Sequence, residues 1–451
     1  MRTLPRRTVA GYALGSLATG AFGTVPGLVL LYFLTDTLGV AAAVAAVVVL
    51  VPKLADVPWN PVVGGWSDRT SSRWGPRRPW MLAGGLLLPP MFVLMFAVPD
   101  TSPGIAAVWV GAAFLAAGFA YGLFQVPYIS LPAELTPDPD QRSRLQLARV
   151  VVLSVGILLG GAAAPALVSA GGEGRSGHLL MAAVIAVLLG VGMLGCVAAV
   201  PTTQPATDSA TGTTAPIVAA KGRGSFVAAL KVARQAAGYW PLYTGYVVQS
   251  LAVAAALTAI PYYATYVLDR EGFTSLLFAA LVGPSLLVVP VWRRLEVRYG
   301  KRWCLVSSSW LFAGCALIAA PGWLSPLLPL LGFVGCGIGY AGQQLYAYSM
   351  LSDALADEDE RTGERRAGLL GGLWTASETG TFALGPALVG GLLALFGYVS
   401  GESGETVDQP GSAVLGIELA IGLIPAALVV AGVLRYRHLT QTQRATQEEP
   451  A

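Results

Sequence analysis

From position 53 the chain reads Lys53-Leu-Ala-Asp56-Val-Pro58-Trp59-Asn60-Pro61-Val-Val-Gly64-Gly-Trp66-Ser67-Asp68-Arg69-Thr70-Ser-Ser-Arg73-Trp74-Gly75-Pro-Arg77-Arg78-Pro79-Trp80. It closes an apolar run that begins near residue 40. Inside that run it carries a Lys and an Asp three positions apart, and then it breaks into clustered arginines. An apolar run of about 20 residues or more that ends in Arg is a bilayer-spanning helix arriving at the cytoplasmic side. Similar runs lie on both sides of it. Twelve candidate spans fall near 9–34, 40–66, 80–98, 105–131, 147–170, 179–200, 237–268, 275–292, 304–320, 326–351, 368–396 and 412–434. Several exceed one bilayer thickness, which predicts tilt or helices that continue past the membrane.

Composition agrees. Of 451 residues, 55% are hydrophobic and 12% charged, against roughly 25% charged in soluble proteins. So little charge cannot cover a soluble surface, and an all-α integral membrane protein embedded in a lipid bilayer is expected. The net charge of +3 is too near neutral for a nucleic-acid partner. The first run has no small-residue cleavage site before Thr35-Asp36 and is read as a retained helix. The 55 Gly and 30 Pro predict closely packed, interrupted helices. Gly118…Gly122, Gly156…Gly160, Gly335…Gly339 and Gly368…Gly372 are the close-approach candidates. Pro58, Pro61, Pro127, Pro261 and Pro386 are the candidate breaks.

Of the 28 Lys and Arg residues, 25 fall in segments that share one side when both termini are cytoplasmic. Arg175 and Arg270 are left outside, and Lys53 sits inside a span. The segment from Pro201 to about Arg234 is rich in Thr, Ala, Pro and Gly and reads as a flexible linker. It divides the chain into a first bundle at 1–200, a linker at 201–236, a second bundle at 237–434 and a cytoplasmic tail at 435–451. The halves echo each other. Asp68-Arg69 through Arg78 follows the second span, and Arg293-Arg294 through Arg302 follows the eighth. Such repetition marks transporters built from duplicated bundles. Cys196, Cys304, Cys315 and Cys336 are scattered singly, and His178 and His438 lie near opposite faces, so neither a disulfide framework nor a metal site is expected.

Three acids remain within spans: Asp56, Glu378 and Glu418. A charge at a helix centre costs about 2.5–3.5 kcal/mol on insertion scales, so each needs a partner, water or a role. Lys53 and Asp56 share a helix face. Asp56 and Glu378 both lie about 15 Å from the cytoplasmic ends of their helices at 1.5 Å per residue. Lys53 is therefore expected to bridge Asp56 and Glu378 across the two halves, either as a static tie or as a site where a carboxylate exchanges a cation or proton. Glu418, near the outer end of the last span, is assigned no role. Within spans the glutamines are Gln125, Gln249, Gln343 and Gln344, accompanied by Tyr121, Phe124, Tyr128, Tyr262, Tyr263, Tyr340, Tyr346 and Tyr348. Amides beside aromatic faces suit a neutral hydroxylated or mixed polar–apolar solute, and they also serve helix packing. Arg149 opens the fifth span, reaching either inward as a fork of donors or outward.

The run from Asp56 to Trp80 resembles the glycoside–pentoside–hexuronide:cation symporters, the melibiose-permease-like branch of the major facilitator superfamily. Pro127-Tyr128, Glu134-Leu-Thr136-Pro137-Asp138 and Arg142-Ser-Arg144-Leu145 are similar to that family's loop after the fourth helix. Asp353, Arg361-Thr362-Gly363-Glu-Arg365-Arg366-Ala-Gly368, Trp374-Thr375 and Ala383-Leu384-Gly385 are similar to its tenth-to-eleventh-helix signature. The resemblance implies the major facilitator fold, twelve helices in two pseudo-symmetric six-helix bundles, and alternating access coupled to H⁺ or Na⁺. It implies cation coupling at Asp56, with Asn60 one turn on; Lys53, by its shared helix face, and Glu378, by its depth, join that expected coupling site. It implies a solute cavity lined by Tyr121, Gln125, Tyr128, Arg149, Gln249, Gln343 and Gln344. Asn60 stands where many members carry a second Asp, and Gly122 where the sodium symporters place a cation-ligating polar residue. The family's sugar-contact acids fall at Gly20 and Gln125, and the eleventh-helix Lys at Thr379. Arg149 alone keeps its sugar-contact identity. Proton coupling is thus preferred to Na⁺, since a hard cation wants several oxygen ligands.

Export or uncoupled facilitation of a metabolite stays open. So does a membrane enzyme, because Asp353-Ala-Leu-Ala-Asp357, extended by Glu358, Asp359 and Glu360, resembles acidic Mg²⁺ sites. The simpler account is an inner gate in which Asp68, Asp353 and Asp357 pair with Arg69, Arg73, Arg77, Arg78, Arg361, Arg365 and Arg366. A sensor that moves nothing is the remaining alternative, though the sequence shows no appended signalling domain. The expected partner is a small-molecule solute, the expected state a monomer without cofactor. Abundant Ala, Gly and Arg beside scarce Lys and Asn fit a GC-rich bacterium and its plasma membrane.

Overall fold

The computed structural model describes residues 4–136, 139–172, 174–201, 223–236, 238–270, 272–325, 327–362, 367–401 and 407–436. They are almost wholly helical. The helices of the first half are α1 (Arg6–Val25), α2 (Ala42–Arg69), α3 (Arg78–Phe96), α4 (Pro103–Leu135), α5 (Pro139–Ala170) and α6 (Gly174–Ala199). Those of the second half are α7 (Arg223–Gln235), α8 (Tyr239–Tyr266), α9 (Phe273–Leu287), α10 (Val289–Tyr299), α11 (Lys301–Ala319), α12 (Leu327–Thr362), α13 (Ala367–Leu395), α14 (Gly411–Ile421) and α15 (Leu423–Tyr436). In hydrocarbon no water satisfies a free N–H or C=O, so apolar segments that close their own backbone bonds are the structure available to them. Ten helical stretches among the described residues are long and apolar enough to cross a membrane, and eleven when the bent pair α9 and α10 counts as one. The remaining expected run lies on α12, where Gln343, Gln344 and repeated glycines dilute the apolar content.

The chain forms two compact units, Met1–Thr214 with Tyr398–Asp408, and Ala215–Gly397 with Gln409–Ala451. In the first, α1 packs on α5 and α6, α4 on α2 and α3, and α3 on α6. In the second, α8 packs on α13 and α15, α12 on α9 and α11, and α11 on α15. Counted from the first span of each unit, these are the same five pairings. The repeat seen in the loop motifs is therefore a repeat of packing. Close approach uses the expected small residues: a Cβ on Gly156 would lie 2.4 Å from the Leu17 carbonyl oxygen, and one on Gly335 2.3 Å from Cys315 Sγ.

Three expectations need correction. Helices α2, α4, α8 and α13 run unbroken through Pro58, Pro127, Pro261 and Pro386. The breaks fall elsewhere: α9 meets α10 at a bend of 52° just before Pro290, and α14 meets α15 at Gly422. The later part of the linker is not flexible chain but helix α7. Its Ala229, Ala233 and Ala236 recur at helical spacing and bury against Tyr239 and Leu242. Third, the outer segment Tyr398–Asp408, expected to belong with the second bundle, clusters with the first unit.

Candidate functional site

In the first unit Asp56 and Asn60 stand one turn apart on α2, opposite Gly118 and Gly122, one turn apart on α4. A Cβ on Gly118 would sit 2.7 Å from Asp56 Oδ1. A Cβ on Gly122 would sit 3.0 Å from Asn60 Oδ1 and 2.8 Å from Trp59 Cδ1. Trp59 holds that position because its indole N–H donates to the Phe119 carbonyl at 3.0 Å. Asp56 is 8% exposed, and its Oδ1 has no hydrogen-bond partner. Its Oδ2 lies 3.9 Å from Lys53 Nζ. The same ammonium is 5.4 Å from the ring centroids of both Phe22 and Phe114. An ion pair at about 4 Å is worth about 4 kcal/mol at an effective dielectric near 20, before desolvation is subtracted. Each phenyl face adds roughly 0.5–2 kcal/mol.

The solute-facing candidates of this unit divide in two. Tyr121 is half-buried and stacks on Phe22 at 4.7 Å. Gln125 has its Oε1 buried with no hydrogen-bond partner. Arg149 turns inward, its guanidinium carbon 5.9 Å from the Tyr128 ring centroid. Tyr128, expected to line the cavity, is instead a packing residue. It is wholly buried, donates to the Tyr12 carbonyl at 2.9 Å and shares a 2.6 Å bond with Ser16, so α1 consumes its hydroxyl. The residue that sequence reasoning missed is Tyr12, stacked on Tyr128 at 4.7 Å, whose own buried hydroxyl is unpartnered. A single Tyr on the first span carries no periodic signal that separates it from a packing aromatic.

The second unit centres on Glu378. One carboxylate oxygen accepts from Tyr246 Oη and the other from Tyr348 Oη, the latter at 2.7 Å. Gln344 Oε1, 3.1 Å from Tyr246 Oη, competes for that one phenolic proton, and Gln344 donates to Tyr340 Oη at 2.8 Å. Trp374 stacks on Tyr246 at 4.2 Å, with its indole N–H unpartnered. Next to this network a narrow crevice is lined by Tyr246, Ser250, Tyr340, Gln343 and Gln344. Gln343 Nε2 is buried there without an acceptor. Gln249 touches the crevice but corrects the expectation for its head group: the amide donates to Ser309 at 2.9 Å and accepts from Tyr436 at 3.0 Å. Within each unit the two expected charges have their own partners. Among the described residues the Lys53 ion pair runs to Asp56, and Glu378 is held by phenols of its own unit.

The expected inner-gate residues find local partners. Arg77 donates to Ser67 at 2.8 Å and Arg78 to the Val197 carbonyl at 2.6 Å, which pins the turn after α2. Arg69 and Arg73 are exposed, with Arg73 over Trp74 at 5.5 Å. Asp353 pairs with Lys301 at 2.7 Å, and Glu358 takes Arg361 in bidentate fashion at 2.8 Å, so these two acids of the run answer bases of the same unit. Asp357 is exposed. The side chain of Asp68, together with Arg365 and Arg366, lies outside the described residues. No group of three or more His, Cys, Asp or Glu able to hold a metal occurs among the described residues.

An ammonium, two glycines and an indole surround Asp56. The carboxylate already faces an ammonium, α4 offers two glycines in place of oxygen-bearing side chains, and the indole of Trp59 fills the space next to Gly122. A hard cation needs several oxygens at once.

Like-paired helical units that each carry polar groups inside apolar spans define a membrane solute transporter. The comparisons agree. Residues 11–439 match the family model described as MFS/sugar transport protein. The glucuronide carrier protein homolog of Escherichia coli K12 is 25% identical over 94% of this chain and 90% of its own. The isoprimeverose transporter of Lactiplantibacillus pentosus is 29% identical over 39% of this chain and 38% of its own. A bacterial homologue of the human lysosomal transporter Spinster, solved in an inward-facing conformation, superposes with a TM-score of 0.71 over 98% of both chains. At 15% identity that likeness speaks for the major facilitator fold alone. The chain belongs to the MFS/sugar transport family of the major facilitator superfamily, in its glycoside–pentoside–hexuronide:cation symporter branch.

Proposed function

We propose that the protein carries a small, neutral, hydroxylated solute of glycoside type by alternating access, coupled to a proton, through a bacterial plasma membrane with both termini cytoplasmic. It works as a monomer and catalyses no covalent step. The supporting observation is the set of buried polar atoms left without partners in otherwise apolar spans: Tyr12 Oη, Gln125 Oε1 and Asp56 Oδ1 in one unit, Gln343 Nε2 and Trp374 Nε1 in the other. An unpaired buried donor or acceptor costs about 1–3 kcal/mol. Donors and acceptors both wait, which is the complement of a polyol whose every hydroxyl can give and take. The relatives named as a glucuronide carrier homologue and an isoprimeverose transporter support the glycoside class.

Proton coupling falls to Asp56 or Glu378. Counterflow of radiolabelled glycosides in proteoliposomes, at two pH values with and without Na⁺, tests the reading. Exchange is expected for at least one glycoside, with pH-driven accumulation that Na⁺ leaves unchanged. Glu378→Gln is expected to keep exchange and lose accumulation if that residue carries the proton. Full pH-driven accumulation in both Glu378→Gln and Asp56→Asn would remove both acids from the coupling scheme.

A further inference from the structure

The geometry points to Lys53 as a built-in counter-cation: its tethered ammonium takes permanently, beside Asp56, the role that a transported sodium ion plays in cation symporters, so this chain binds no free Na⁺ there. The inference deepens the transporter reading above in its flux arm, while its binding arm stands without any solute.

Three features of the first unit carry it. The ammonium sits 3.9 Å from Asp56 Oδ2 and centred 5.4 Å from each of two phenyl rings, Phe22 and Phe114. Aromatic faces stabilise an organic ammonium, whereas a small hard ion prefers oxygen. At the two positions of α4 that face Asp56 and Asn60 the chain carries glycine, which offers no side-chain oxygen. Gly118 leaves a space only a glycine can leave, because a Cβ there would stand 2.7 Å from Asp56 Oδ1. At the next turn Trp59 packs so close to Gly122 that a Cβ would meet its indole nitrogen at 2.9 Å. Trp59 is locked by its bond to the Phe119 carbonyl, so the space does not open by a side-chain flip. The Asp56 carboxylate thus keeps one built-in cation at Oδ2, with Oδ1 left over for a proton or a solute hydroxyl and the Asn60 amide one turn away.

The test uses full-length protein in nanodiscs and binding of radioactive sodium, with methylammonium as a second probe. Wild type is expected to show no saturable Na⁺ binding. Lys53→Ala removes the tether and leaves an ammonium-sized space beside an intact carboxylate. It is expected to gain saturable binding of Na⁺ or methylammonium, at least about tenfold above wild type, and to lose it again in the Lys53→Ala/Asp56→Asn double variant. Lys53→Met, which keeps the side-chain volume, should stay closed to both ions and controls for folding through its elution profile. Saturable Na⁺ binding by wild type that disappears in Asp56→Asn would overturn the inference. So would a folded Lys53→Ala protein that responds to neither ion. Should Lys53→Ala fail to fold, the wild-type measurement alone decides. A protein that moves no glycoside but shows this cation pattern sinks the substrate reading and leaves Lys53 in place.

Discussion

At the scale of single residues, Trp59 and Gly122 are one unit of design. The indole occupies what a side chain at 122 would need, with 2.8 Å to its Cδ1. Gly122→Ser, which would restore a hydroxyl to α4, is therefore expected to overpack the contact at a cost of about 1–3 kcal/mol. Thermal unfolding in detergent should show a lowered midpoint, and Na⁺ should not rescue it. A midpoint equal to wild type would mean that the indole yields easily. Residue types alone were a partial guide here. The sequence picked out Lys53, Asp56, Asn60 and Glu378 because charge and amide are rare in a span. It could not separate Gln125, with an unpartnered oxygen, from Gln249, whose amide is used at both ends.

At the scale of elements, residues 398–401 show what a short connecting stretch does once it is placed. Tyr398 Oη donates to buried Asp36 at 2.5 Å, and Ser400 Oγ to the Val40 carbonyl at 2.8 Å. Asp36 also accepts from the neighbouring Thr35 hydroxyl at 2.5 Å. These bonds tie a segment some 360 positions distant in sequence to the π-helical turn Phe33–Thr37 and the residues after it. A hydrogen bond to a charged group contributes about 1.5–3 kcal/mol. Tyr398→Phe is expected to lower thermal stability by about that amount, and Ser400→Ala, losing a neutral bond, by about 0.5–1.5 kcal/mol. Equal melting of wild type and Tyr398→Phe would show that the segment contributes nothing. Nothing in the sequence marked this tie, because Tyr398 sits among residues that read as an ordinary outer loop. Helix α7 was missed for a related reason. Thr, Ala and Gly earlier in the segment signalled linker, and the alanine stripe that makes the helix stable needs the buried tyrosine Tyr239 beside it.

At the scale of the whole molecule, the distribution of Lys and Arg predicts that both termini are cytoplasmic. A reporter active only in the cytoplasm, fused after Tyr436, is expected to be active. The same reporter inserted between Pro99 and Pro103, in the short connection between α3 and α4, is expected to be silent, and a reporter that works only outside should give the reverse. The reverse outcome at either position would overturn the topology.

The apolar helical character, the echo between the two halves and the family were legible before any coordinates. The reason is that transfer into hydrocarbon is a local sum over neighbouring side chains, and the sequence states each of them. Tertiary structure alone decided which polar atoms are spent and which are left waiting. Gln249 is satisfied by Tyr436, 187 positions away, and Tyr128 by Ser16 across 112. A hydrogen bond is a contact between two particular atoms over about 3 Å. Whether a buried donor has found its acceptor is therefore settled by where the chain returns, not by what surrounds it in order.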